Sequence, residues 1–459
     1  MLPPQIETIL KNQRAFFATH RTKDVKFRIE QLNKLRFSII SNESKIIDAL
    51  YKDLHKSAME SYSNEIGMCL AEITHTINNL RAWAKPAKVK GSIIVPLAKA
   101  CVHSEPYGIV LIISPWNYPL LLSISPLIGA IAAGNCAVVK PSEFSSNTSH
   151  VIQDLLGACF DSEYVTVIQG DIAVAQSILQ HRFDYIFYTG NGLVGKEIMK
   201  VASEHLTPIT MELGGKCPCV IDSDIDYKKT ARRITLGKFQ NAGQTCFAPD
   251  YLMIHKSVKR NLVDEMQRTI TEFYGQDVRR SKDFGRIINE RHYTRLLKYL
   301  EDGDIVFGGD HDAMDHYIGP TLIENVSPES KVMQEEIFGP ILPIIEYSDI
   351  NEAIALINGR PKPLALYLFS NEKRIQEQVL HETSSGGMCI NDNLSHFSLL
   401  ELPFGGVGAS GFGKYHGKWS FDLFSNKKGV MRQAVLFDLK VRYPPFKVSA
   451  LKTVRRFLR

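Results

Sequence analysis

Net charge is scarce in this sequence: 54 basic and 49 acidic residues leave a formal +5 over 459 residues. So small a balance gives no reason to expect nucleic acid as a partner. A cysteine pattern is also missing. Cys69, Cys101, Cys136, Cys159, Cys217, Cys219, Cys246 and Cys389 are scattered, with no CxxC pair and a single CPC. Neither a zinc site nor a disulfide framework is expected, and no metal is assigned. The N-terminus, MLPPQIETILKNQRAFF, lacks a basic start followed by an apolar run, so no secretory signal is expected and a reducing cytoplasm is the expected compartment.

Charge is absent altogether between Glu105 and Lys140. Pro115, Asn117, Pro119 and Pro126 divide that run into pieces shorter than the roughly 20 apolar residues a membrane span needs. It reads instead as strand, helix, strand, with strands apolar on both faces as in a helix-covered parallel sheet. Two more units follow, a helix leading to VTVIQG and another leading to FDYIFYTG. The first half is therefore a doubly wound α/β domain, the usual home of a nucleotide.

Before it, from Ile6 to about Ala84, apolar residues return every three or four positions, which predicts amphipathic helices. Residues 85–103 carry basic flanks around a β-like run and predict a hairpin or arm suited to a subunit contact. A second α/β series begins near Met211. The fold class predicted is two doubly wound α/β domains, cofactor-binding and catalytic, with a small β arm for oligomerisation. The dinucleotide-binding domain is assigned residues 1–88 and 104–210, and the catalytic domain 211–400. The arm is assigned 89–103 and 415–440, and a basic amphipathic tail 441–459. In that tail Phe446, Ala450, Val454 and Phe457 or Leu458 line one helical face opposite basic residues, a pattern that fits peripheral contact with a membrane surface or a cap on a neighbouring subunit.

Chemistry is placed first in QNAGQTCFAPD, residues 240–250, where Cys246 sits in a small, polar segment open to a ligand. After the strand DYIFYT, the run GNGLVG forms a GxGxxG before a helix, so Gly190, Gly192 and Gly195 suggest a phosphate turn. The signal is weak, because PFGGVGASGFG also matches it without a preceding strand. Glu212 stands at the spacing expected of a ribose-holding acid, about twenty residues on.

Seven stretches in order carry a resemblance: PWNYP, VVKPSE, FYTGNGLVG, MELGGK, GQTC, EIFGP and PFGGVGASGFGKYHG. With them the chain resembles the aldehyde dehydrogenases, most nearly the class 3 branch. The resemblance implies oxidation of an aldehyde to a carboxylic acid with NAD as cofactor, NADP also admitted, in a homodimeric enzyme of the class 3 type. It implies Cys246 as nucleophile, Glu212 as general base in place of the ribose role, and the Asn117 amide as donor to the adduct oxygen. Lys140 and Glu143 match residues at the adenosine ribose, and Glu336 the residue at the nicotinamide ribose, with Phe338 beside the ring. Gly190 and Gly195 match the cofactor-side turn, Gly192 less so. Cys217 stands where the family usually has a small residue such as serine, and is expected either to oxidise or to pack.

Overall fold

The computed structural model describes residues 3–91, 95, 97–435, 438 and 443–457. Helices Pro3–Ala18, Val25–Ser41, Glu43–Leu54 and Gly67–Trp83 occupy the N-terminal stretch where the apolar period predicts them. Between the last two, Tyr62–Ile66 forms a π turn. Such turns rotate the following side chains out of helical register, and here Glu65 is fully buried.

Two large sheets follow. The first runs Gly411–Phe412, Ile209–Leu213, Tyr185–Gly190, Ile109–Ile113, Cys136–Lys140, Val165–Val167, parallel except for the Gly411–Phe412 edge. Strand Cys136–Lys140 is buried at every position, and helix Pro119–Ala133 is buried along its whole length. That is why the uncharged run carries no polar face: helices cover both sides of its strands. The second sheet has seven strands, centred on Ile341–Tyr347, Tyr251–His255, Pro218–Ile221 and Ala365–Phe369, all parallel to their neighbours. Among the described residues no helix is long and apolar enough to cross a membrane.

The C-terminal glycine-rich run does not form a phosphate turn. Its Gly411 pairs with Glu212 across the sheet edge at φ 118°, where an added Cβ would meet the Met211 carbonyl oxygen at 2.0 Å. Glycine is required there by close backbone approach. After it, helix Gly417–Leu423 packs on helix Pro119–Ala133. A separate three-stranded antiparallel sheet joins Ala87–Val89, Lys99–Pro106 and Ser425–Arg432, the last two paired over eight residues. Of the stretches assigned to the arm, 92–94, 96, 436–437 and 439–440 lie outside the described residues.

The tail forms helix Val448–Phe457. Phe446 precedes it, and Val448, Leu451 and Val454 are exposed apolar residues on it. Leu458 lies outside the described residues, as do the side chains of Ala450 and Phe457.

Candidate active site

The loop around Cys246 is fixed by backbone geometry and by one glutamine. Asn241 and Ala242 are left-handed, and Gly243 follows at φ 75°, where a Cβ would meet the Gly339 carbonyl oxygen at 2.2 Å. Only glycine fits, so the GQTC and EIFGP stretches touch backbone to backbone. Gln244 closes the loop: its Nε2 donates to the Asn241 oxygen at 3.0 Å and the Arg286 oxygen at 2.9 Å, and its Oε1 accepts from Ile288 N at 3.0 Å. The Tyr118 hydroxyl shares a 2.7 Å hydrogen bond with Thr245 Oγ1. From 241 to 250 every residue is buried except Cys246, which is half-buried and lines a cavity of about 220 Å³.

Glu212, on strand Ile209–Leu213, lines the same cavity and is 1% exposed. Neither carboxyl oxygen makes a full hydrogen bond within the described residues, and its polar neighbour is the Cys246 thiol. An unsatisfied buried carboxyl is costly and calls for a reason. Burial raises its pKa to about 8, the hydrogen-bonding thiol acting in the opposite sense. Burial also pushes the Cys246 thiol well above its usual range, reinforced by charge on Glu212 and Glu336. Both groups therefore hold their protons near neutral pH, and Glu212 can accept one only as the carboxylate that forms as pH rises through about 8.

Asn117 lies in the turn between strand Ile109–Ile113 and helix Pro119–Ala133 and is 2% exposed. Its Nδ2 donates to the Gln244 carbonyl oxygen at 3.1 Å, which anchors the amide two residues before Cys246. An amide nitrogen carries two N–H groups, so one donor remains for a ligand.

Lys140 and Glu143 form an ion pair at 3.0 Å at the carboxyl end of strand Cys136–Lys140, Lys140 nearly buried and Glu143 one-third exposed. Glu143 also lines a depression with Ser142, Ser146, Gly170 and Asp171. Gly190 ends its strand, where a Cβ would meet the Tyr188 hydroxyl at 2.3 Å, and a Cβ added at Gly195 would meet the Leu213 side chain at 3.3 Å. Gly192 has open space around it, and Asn191 caps the helix by accepting from Val194 N at 3.0 Å. Glu336 Oε1 accepts from Gly215 N at 3.1 Å, and a Cβ on Gly214 would meet that oxygen at 2.1 Å. The glycine pair therefore makes a cradle, bordering a cavity of about 500 Å³ shared with Arg360 and Lys362. Burial, with the charge of Asp250, raises Glu336 to about 8. Phe338, at φ 51°, stands edge-on to Trp116 with centroids 5.3 Å apart. Carboxylates such as Glu143 and Glu336 can accept hydrogen bonds from the sugar hydroxyls that a dinucleotide offers.

Cys217 packs rather than facing the cavity. It is fully buried, its Sγ accepting from Ala365 N at 3.3 Å and lying 3.8 Å from the Cys246 carbonyl oxygen. Sequence reasoning passed over several residues that the structure puts beside the site. Gln244 and Asn241 were quoted without a role, although their unusual polarity in a buried loop was a usable signal. Tyr118, Phe247, Phe397, Phe404 and Tyr415 form an aromatic wall of the cavity, drawn from four separate stretches. Lys56 and Glu65 read as ordinary solvent-facing charges on amphipathic helices, yet both are fully buried behind Asn117.

Comparison with known proteins identifies the family of the chain. The sequence profile described as the aldehyde dehydrogenase family matches residues 3–430. The 4,4'-diaponeurosporen-aldehyde dehydrogenase of Staphylococcus aureus is 47% identical over 456 residues, covering 99% of both chains. Aldehyde dehydrogenase family 3 member A2 of Rattus norvegicus is 45% identical, covering 99% of this chain and 94% of the relative. A solved structure described as the substrate-bound state of Staphylococcus aureus AldH superposes with a TM-score of 0.97 at 47% identity, covering 99% of each chain. The NAD-dependent aldehyde dehydrogenase of Sinorhizobium meliloti superposes at 0.85 with 25% identity, over 95% of this chain and 89% of that one. The chain belongs to the aldehyde dehydrogenase family, and is an NAD(P)-dependent oxidoreductase similar to its class 3 members.

Proposed function

We propose that the chain oxidises apolar aldehydes through a thioester on Cys246, with Glu212 as its base and NAD as the preferred acceptor. The observation that carries this reading is the pairing of Cys246 with a buried, otherwise unsatisfied Glu212 in one cavity. Cys246 Sγ attacks the carbonyl carbon while its proton passes to Glu212, giving a thiohemiacetal. The oxygen that gains negative charge is received by the free N–H of the Asn117 amide and by the Cys246 backbone N–H. Nicotinamide, when bound, supplies the hydride acceptor. Glu212 releases that proton to solvent, takes another from water as the water attacks the thioester carbon, and passes it to the departing Cys246 sulfur as the carboxylic acid leaves.

The aromatic wall supports an apolar substrate, with Asn64, Arg233, Gln240 and Asp392 giving the cavity a polar side as well. The Staphylococcus aureus relative, named for a 4,4'-diaponeurosporen-aldehyde, is consistent with that class. Away from that cavity Lys140 is occupied by its ion pair with Glu143, and the Glu143 carboxylate repels a 2′-phosphate. NAD is therefore favoured over NADP. Replacing Cys246 by Ala tests the reading: NADH formation from NAD and an apolar aldehyde should be abolished while NADH binding persists. Turnover retained by that variant would remove Cys246 from the chemistry.

A further inference from the structure

Nothing in the uncharged stretch around Asn117 can fix that turn electrostatically, and the charges that do so come from elsewhere. Lys56 follows helix Glu43–Leu54, and Glu65 lies in the π turn Tyr62–Ile66. Both side chains are fully buried, with Lys56 Nζ donating to Glu65 Oε1 at 2.6 Å. The same ammonium donates to the Asn117 carbonyl oxygen at 2.7 Å and stands 4.0 Å from the centroid of the Tyr118 ring. Glu65 uses its other oxygen on the next turn, accepting from Leu120 N at 2.9 Å and Leu121 N at 3.2 Å. These are free donors at the start of helix Pro119–Ala133, where a carboxylate is doubly favoured.

The pair thus holds residue 117 from its carbonyl and the helix start two residues later from its N–H groups. A third hand comes from Asn241, whose Nδ2 donates to the Asn117 oxygen at 2.9 Å and to the Gln244 oxygen at 3.1 Å. The Gln244 oxygen is the acceptor that aims the Asn117 amide. Lys56, Asn117, Asn241 and Gln244 therefore form one closed network that ends two residues from the nucleophile. A buried ion pair is weak evidence for stability, because hydrophobic replacement often serves as well. A helix cap alone would need no lysine.

We infer that Lys56 and Glu65 are positioning residues for the oxidation, holding the Asn117 amide at the place where charge develops on the substrate oxygen. The inference rests on the donor role proposed for Asn117. Misplacement of a donor of this kind by a fraction of an ångström reduces transition-state stabilisation without removing any group that touches substrate.

The test is single-turnover NADH formation from NAD and benzaldehyde in four proteins: the native enzyme, Asn117→Ala, the double variant Lys56→Met with Glu65→Gln, and all three substitutions together. Replacing both charges avoids stranding either one in the interior. The double variant is expected to form NADH at least about tenfold more slowly, with NADH affinity within about twofold of native. In the Asn117→Ala background the same two changes should alter the rate less than about twofold, because the group they position is gone. Equal losses in both backgrounds, a native rate in the double variant, or parallel loss of NADH affinity would each overturn the inference. A native rate in Asn117→Ala alone would remove the donor role of Asn117 and the inference with it, a result distinct from the other three. Should the double variant fail to fold, Lys56→Arg, which retains the charge and the donors, takes its place: recovery of more than half the native rate is expected, and a loss equal in both backgrounds would contradict positioning.

Discussion

At the scale of single residues, the account turns on acids that burial keeps protonated. Glu212 and Glu336 are held up to about 8, and Glu60 and Glu72 to about 7, in each case chiefly by desolvation. An acid whose folded value is raised favours the folded state while protonated, so its contribution is complete below the ordinary carboxyl range and is lost as pH rises through the raised value. Stability should therefore fall from about pH 4.5 to about pH 8 and level off above it, and Glu212→Gln should lessen the fall. Denaturant midpoints measured across that range check both statements, and a curve flat to pH 9 would contradict them. Activity should run the other way, because the proposed base works as a carboxylate: turnover should rise through about pH 8. Glu143 carries a separate expectation. Glu143→Gln removes the repulsion of a 2′-phosphate while leaving Lys140 to attract it, so kcat/KM with NADP should rise relative to NAD. An unchanged ratio would place cofactor choice elsewhere.

At the scale of elements, loops are joined where no side chain can intervene. At Gly243 a Cβ would collide with the Gly339 carbonyl, a backbone atom that cannot swing aside. Gly243→Ala should therefore displace both the Cys246 loop and the Glu336 loop, lowering stability by about 2 kcal/mol or more and depressing activity together with cofactor affinity. A variant of native stability and activity would show that the loops relax independently. This contact also shows what could be read in advance. The apolar run 106–139 declared its strand, helix and strand because burial on both faces dictates composition locally. Cys246 stands out from its own small, polar segment, whereas the base role of Glu212 and the donor role of Asn117 rest on motifs that resemble a family's. The aromatic wall was not legible, since Phe247, Phe397 and Tyr415 converge only through tertiary packing and each alone reads as core. Lys56 and Glu65 were missed for a related reason: a buried charge and an exposed one look alike in a helical period, and a π turn leaves no reliable mark on it. The second glycine-rich run matches a phosphate-turn pattern by composition alone, its Gly411 being required by backbone contact at the sheet edge.

At the scale of the whole molecule, the two large sheets supply opposite sides of one site, and the three-stranded sheet stands apart from both. Strand Ser425–Arg432 lies at the edge of that small sheet, bonded on one side only and largely exposed. An edge of this length invites cover by another chain. We expect a homodimer joined there, so light scattering should give twice the chain mass. A monomer at micromolar concentration would contradict the expectation.

The central claim is that oxidation passes through an acyl group on Cys246 released by Glu212, and the Glu212→Gln variant isolates that step. Stopped-flow absorbance of NADH, with intact-mass analysis of the quenched protein, should show a burst approaching one NADH per chain, then stalled turnover, and one acyl group on Cys246. Steady-state turnover at the native rate with no acyl adduct would contradict the account.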